Sequence, residues 1–236
     1  MRPSAERGVQ PLATLAVSRR WVDVACRALD ILGAATLLVA LLPLLALIAL
    51  IVRIDSAGPA LFRQRRYGRD LRPFTVHKFR TMEHEAADDY HRDFVLGLIS
   101  GEPPAHQPET SASRSAAPSR YKLTADPRVT RCGRLLRRSS LDELPQLWNV
   151  LRGDMSLVGP RPPIAYEVER YPAHWFARFA VKPGVTGLWQ TSGRSDVTLE
   201  EMVRLDVEYI SRRSLWLNIR IILLTVPAVL SAKGAW

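Results

Sequence analysis

The sequence predicts an α+β fold, mostly helical, in which a membrane helix hairpin leads into a basic domain with a small β element and interfacial amphipathic helices. Three observations carry this prediction. From Ile31 to Val52, "ILGAATLLVALLPLLALIALIV" runs for about 22 residues without a charge, enough to cross a bilayer of about 30 Å. Short extended pieces between Gly and Pro turns follow it, and helical spacing then prevails to the C-terminus.

Residues 1–20 form an N-terminal tail, and residues 21–55 the membrane helix. The apolar run lies too far from the N-terminus, with no small-residue cleavage site behind it, for a signal peptide. Arg19, Arg20 and Arg27 precede it and Arg53, Arg63, Arg65, Arg66 and Arg69 follow it, so both ends carry the charge expected of a cytoplasmic flank. Pro43 near the middle removes a backbone hydrogen bond and bends the helix. A re-entrant helix that enters and leaves by one face satisfies both observations; a kinked, tilted span with a weak charge bias is the alternative.

Residues 56–236 form the remaining domain. "ALFRQ" and "FTVHKF" predict a small hairpin near the membrane surface, with the nearby arginines available to lipid phosphates. Glu83 to about Leu98 reads as a mixed helical stretch, and the Pro/Ser/Ala-rich stretch at about 99–120 as a flexible loop. His77, His84 and His91 recur every seven residues, a spacing unlike that of helical metal ligands, and read as solvated. Arg131, Arg134, Arg137 and Arg138 alternate with Leu135 and Leu136 on a helix with one apolar face. Near the end, Leu215 to Leu230 suits an interfacial amphipathic helix with Trp216 at headgroup level.

The chain of 236 residues carries a net charge of +10 and a pI near 10.3, which calls for a polyanionic partner. Since the chain is membrane-attached, anionic lipid and phosphorylated substrates fit and nucleic acid does not. Cys26 and Cys132 form no CxxC pair, which argues against a disulfide scaffold or structural zinc and for a reducing, cytosolic setting.

Two stretches carry candidate chemistry. "SLDELPQLWN", Ser140 to Asn149, sets Asp142 beside Glu143 just ahead of Pro145. Ser140 followed by Glu143 matches a capping box, and Pro145 fits a first turn, so a helix is expected to start near Asp142. Successive helical residues point about 100° apart, so the two carboxylates suit divided labour, one attacking and one holding a hard cation. "RGDMSLVGPRPP" holds Arg161 between Pro160 and Pro162, after a Gly159 that permits close backbone approach. Such a preorganised guanidinium suits a phosphate; a rigid surface turn is the competing account.

Taken in order, "LFRQ", "KFRTM", "DPRVTRCGRLLRRSSLDELPQLWNVLRGDMSLVGPRP", "KPGVTGLWQTSGRS", "LDVEYI" and "SLWLNIRIILLTVPAVL" resemble the bacterial sugar transferase family, the monotopic phosphoglycosyl transferases. The resemblance runs from about Trp21 to the end and implies a compact core form, with a re-entrant helix and a catalytic domain on the cytosolic face of the bacterial inner membrane. It implies transfer of a sugar 1-phosphate from a UDP-sugar to polyprenyl phosphate, with Asp142 as nucleophile and Glu143 associated with Mg2+. It also implies phosphate-binding roles for Arg161, Arg137, Lys78 and Arg80, and a hexose donor, glucose or galactose. Leu42 before Pro43, where some members have Ser-Pro, leaves the sharpness of the bend open. A homo-oligomer is left open. The rival classes are a single-displacement glycosyltransferase that releases UDP and a non-catalytic membrane scaffold.

Overall fold

The computed structural model describes residues 20–83, 92, 96, 97, 99, 128–192 and 197–230. The N-terminal tail, most of the stretch from Glu83 to Leu98 including His84 and His91, and the loop at 99–120 therefore fall almost wholly outside the described residues.

The apolar run forms two helices, α1 (Arg20–Ala40) and α2 (Leu42–Asp55), bent by 63° at the break. Pro43 falls in the first turn of α2, where a missing N–H costs nothing, so the proline starts a helix rather than distorting one. Among the described residues no single helix is long and apolar enough to cross a membrane; the bent pair together passes that test.

Both arms rest on the same domain. Cys26, Asp30 and Ala34 of α1 are buried, and Ile48 and Val52 of α2 pack with Phe79 and Leu136. The carboxylate of Asp30 accepts from Ser156 Oγ at 2.9 Å and Leu157 N at 2.8 Å, and Arg27 donates to the carbonyls of Val150 and Leu151.

Strands β1 (Leu61–Tyr67) and β2 (Pro73–Phe79) pair antiparallel, with Leu61 opposite Phe79, as the hairpin reading expected. Helix α3 (Arg131–Ser139) is capped by Thr130, whose hydroxyl accepts from Gly133 N. A side chain at Gly133 would collide with the carbonyl of Thr81, so this glycine lets α3 lie against the end of β2. Next come a 3₁₀ turn at Leu141–Glu143, α4 (Gln146–Arg152) and β3 (Ser156–Val158). After α5 (Ala165–Val168) and a 3₁₀ helix at Ala173–Ala180, β4 (Gly184–Thr186) pairs in parallel with β3. Gly159 and Gly184 meet backbone to backbone there, the close approach expected of Gly159. Helices α6 (Leu188–Ser192), α7 (Leu199–Arg212) and α8 (Leu215–Leu230) complete the fold.

One core joins Ala34, Val76, Leu147, Val150, Met155, Val158, Tyr209 and Ile221, contributed by α1, β2, α4, the link before β3, β3, α7 and α8. The result is mostly helical, with two small two-stranded sheets.

Candidate active site

The start of α4 differs from the reading of the sequence. Ser140 adopts a left-handed conformation, φ +57°, and terminates α3, its N–H donating to the carbonyls of Arg137 and Leu136. It therefore caps the C-terminus of one helix instead of opening the next. Its side chain makes no capping bond, and α4 begins at Gln146 with Pro145 just ahead. Asp142 and Glu143 sit on the short 3₁₀ turn between the two helices. The left-handed residue makes the corner, so the turn points back toward β2.

There Lys78 Nζ meets Glu143 Oε1 at 2.7 Å, a pair in which both side chains are about a quarter to a third exposed (26% and 32%). Arg137, from the last turn of α3, donates through Nε to Thr81 Oγ1 at 2.9 Å. Asp142 is 8% exposed, and burial pushes its carboxyl up to about 6. Lys78 opposes that shift, Glu143 adds to it as a like charge, and Arg137 pulls the same way as Lys78. Lys78, Arg137, Asp142 and Glu143 thus form one cluster, with a nearly buried carboxyl poised near neutrality.

Arg161 belongs to a second cluster. Its Nη1 lies 3.3 Å from both carboxylate oxygens of Glu167, which is itself 1% exposed. Arg178, buried under it, donates to the carbonyl of Arg161 at 3.1 Å, to Tyr171 Oη at 2.9 Å and to Asp206 Oδ2 at 2.6 Å. Arg66 donates to the carbonyl of Pro162 at 2.7 Å, tying the same loop to β1. The rigidity expected from Pro160 and Pro162 is thus reinforced by a buried ionic scaffold.

Arg80 is turned toward α2. Its Nη2 donates to the carbonyl of Ser56 at 2.6 Å, to Ser56 Oγ at 2.9 Å and to the carbonyl of Val52 at 3.4 Å. These contacts fasten the C-terminus of α2 to the end of the strand that bears Lys78. His77 is in contact with Asn149. Among the described residues, no group of three or more His, Cys, Asp or Glu gathers to hold a metal. A cation shared between one carboxylate and a diphosphate needs no such group, because Mg2+ keeps several waters and takes one or two protein carboxylates. Partly exposed Glu143 fits that habit.

Reading the sequence did not single out Glu167, Tyr171, Arg178, Asp206 or Asn149. Asp206 had a visible signal: helical spacing places it on the face of Met202, Val203 and Tyr209, all buried. A carboxylate on such a face requires a buried partner.

The family model for bacterial sugar transferases matches residues 21–232. The "Galactosyl transferase CpsE" of Streptococcus agalactiae serotype III is 42% identical over 220 residues, 93% of this chain and 43% of that protein. The "UDP-galactose-lipid carrier transferase" of Erwinia amylovora is 42% identical over 210 residues, 89% of this chain and 41% of that protein. The "UDP-glucose:undecaprenyl-phosphate glucose-1-phosphate transferase" of Caulobacter vibrioides is 40% identical over 223 residues, 91% of this chain and 73% of that protein. The chain spans about two fifths of the length of the first two.

Proposed function

The chain belongs to the bacterial sugar transferase family, and from that premise we propose that it transfers a hexose 1-phosphate from a UDP-sugar to polyprenyl phosphate, releasing UMP. Glucose and galactose are the donors favoured by the names of the Streptococcus, Erwinia and Caulobacter relatives. The reaction is an opening membrane step of surface polysaccharide or glycoconjugate synthesis, at the cytosolic face of a bacterial cytoplasmic membrane.

The observation that carries the reading is Asp142: a nearly buried carboxyl between Lys78, Glu143 and Arg137, with a pKa of about 6. At neutral pH it is ionised yet poorly solvated, which suits a nucleophile. Its carboxylate oxygen attacks the sugar-linked phosphorus, and the bond from that phosphorus to the oxygen bridging to UMP breaks. A phosphate oxygen of polyprenyl phosphate then attacks the same phosphorus. The acyl–phosphate bond breaks, Asp142 is restored, and the product is a polyprenyl diphosphate sugar. No proton is gained or lost overall.

Lys78 and Arg137 hold phosphoryl oxygens and keep Asp142 ionised, and Arg161 offers its braced guanidinium to the transferring group. Magnesium, when bound beside Glu143, supplies charge neutralisation of the diphosphate. Membrane attachment is supported by the exposed apolar residues of the bent pair, Val39, Leu42 and Leu50 among them, and by Trp148 and Trp216 on α4 and α8.

The test uses protein purified in detergent, with magnesium, undecaprenyl phosphate and a panel of UDP-sugars, and measures UMP and UDP separately. UMP from one donor, abolished by Asp142→Asn, is the expected result. UDP as product indicates single displacement, and nucleotide turnover that survives the substitution removes Asp142 from the chemistry.

A further inference from the structure

The chemistry above uses Lys78 and Glu143 side by side, yet the two lie on separate elements, β2 and the turn before α4. An ion pair with both side chains partly exposed is too weak to fix that alignment by itself. A buried amide lies in the seam behind it. Asn149 of α4 is 0% exposed. Its Oδ1 accepts from His77 N at 3.1 Å and lies 3.2 Å from His77 Nδ1, and its Nδ2 donates to the carbonyl of Thr75 at 2.6 Å.

A side-chain amide that takes one residue's N–H and satisfies the carbonyl two residues earlier does what a neighbouring strand's peptide would do. In an antiparallel pair, alternate residues turn their backbone groups away from the partner strand. On β2, Asn149 occupies those of Thr75 and His77. The residue is anchored in turn, since its own carbonyl accepts from Gly153 N, Asp154 N and Met155 N. A strand that slips by one residue presents every side chain to the opposite face, so holding His77 also fixes where Lys78 points.

We propose that Asn149 is a positioning residue: it pins the open edge of β2 to α4 and thereby sets Lys78 against Glu143. The inference rests on the assignment of Lys78 and Glu143 to the site. The substitutions follow from the geometry. Asn149→Ala removes both bonds. Asn149→Asp keeps an acceptor for His77 N but sets an oxygen against the carbonyl of Thr75.

The test reads Lys78 directly. Wild type, Asn149→Ala and Asn149→Asp are labelled briefly with an amine-reactive reagent, and labelling at Lys78 and Lys182 is followed by mass spectrometry. The expected result is labelling of Lys78 that is roughly threefold faster in the variants, the size of effect expected from loosening one partly exposed ion pair. Lys182, half-buried beside Gly153 at the C-terminal end of α4, should be unchanged, because both substitutions leave the Asn149 carbonyl that Gly153 bonds in place. Equal acceleration at both lysines means general loosening and overturns the proposal, as does no change at Lys78. Hydrogen exchange of the His77 amide in the wild-type protein needs no variant: slow exchange is expected, and exchange at the rate of an open strand edge sinks the idea. Neither measurement uses turnover. A chain that released no UMP but freed Lys78 selectively would therefore remove the proposed reaction and leave this role for Asn149 intact.

Discussion

At the scale of single residues, the proposed role of Asp142 ties activity to stability. Burial raises its carboxyl to about 6, from an ordinary 3.8. Because the folded-state pKa lies above the unfolded one, the associated stability is fully present below about pH 3.8 and is lost as pH rises through 6. The shift of about two units corresponds to about 3 kcal/mol at most above pH 7. Asp142→Asn cannot ionise, so it should stabilise the protein by about 1–3 kcal/mol at pH 8 and hardly at all at pH 4, while abolishing UMP release. Thermal unfolding at both pH values checks this, and a variant less stable than wild type at pH 8 contradicts it. For the wild type, kcat/KM should fall about tenfold per unit below pH 6, since that parameter reports the free enzyme. A flat profile between pH 5 and 8 would show that the attacking group is not this carboxyl.

At the scale of elements, the loop that carries Arg161 is held from below by the 3₁₀ helix at Ala173–Ala180 and by α7. Arg178 and Asp206 supply the link, with side chains only 1% exposed. Removing one member leaves the other charge buried without its partner, which costs about 3–5 kcal/mol. Asp206→Ala should therefore unfold at markedly lower denaturant. Arg178→Met combined with Asp206→Leu should recover much of the stability but not the activity, because the carbonyl of Arg161 loses its donor. A stable, fully active double variant would show that the scaffold is dispensable. Elements of this size were unevenly legible in the sequence. The β1–β2 hairpin could be read because Gly and Pro bound two β-prone runs that are close in sequence. The β3–β4 pair could not: each strand has three residues, and their parallel pairing is non-local. Ser140 misled because a Ser with Glu three residues on has the same pattern whether it opens a helix or closes one; only its left-handed φ decides. The acidic pair, Lys78 and Arg161 stood out through their motifs. Asn149, by contrast, sits unmarked in an apolar stretch, and its work depends on which strand edge lies beside it.

At the scale of the whole molecule, the question is how a bent apolar helix sits relative to the site. Buried residues of α1, Cys26, Asp30 and Ala34, and of α2, Ile48 and Val52, all pack against the same domain. Asp30 grips β3 from one arm, and Arg80 holds the end of the other. Two arms fastened to one domain favour entry and exit on one side of the membrane, because a bilayer core of about 30 Å would otherwise separate their anchors. From Ile31 to the break, α1 covers about 15 Å at about 1.5 Å per residue, enough for one leaflet and not for two. This re-entrant reading predicts a definite labelling pattern. In a Cys132→Ser background, with Cys26 buried, single cysteines are introduced as Arg20→Cys and Ala57→Cys at exposed positions flanking the pair. A membrane-impermeant maleimide should label neither position from outside intact spheroplasts and both in inside-out vesicles. Labelling of one flank from each side would make the pair a kinked span. It would also require the domain contacts of one arm to break in the membrane, and with them the geometry that joins α2 through Arg80 to the strand bearing Lys78.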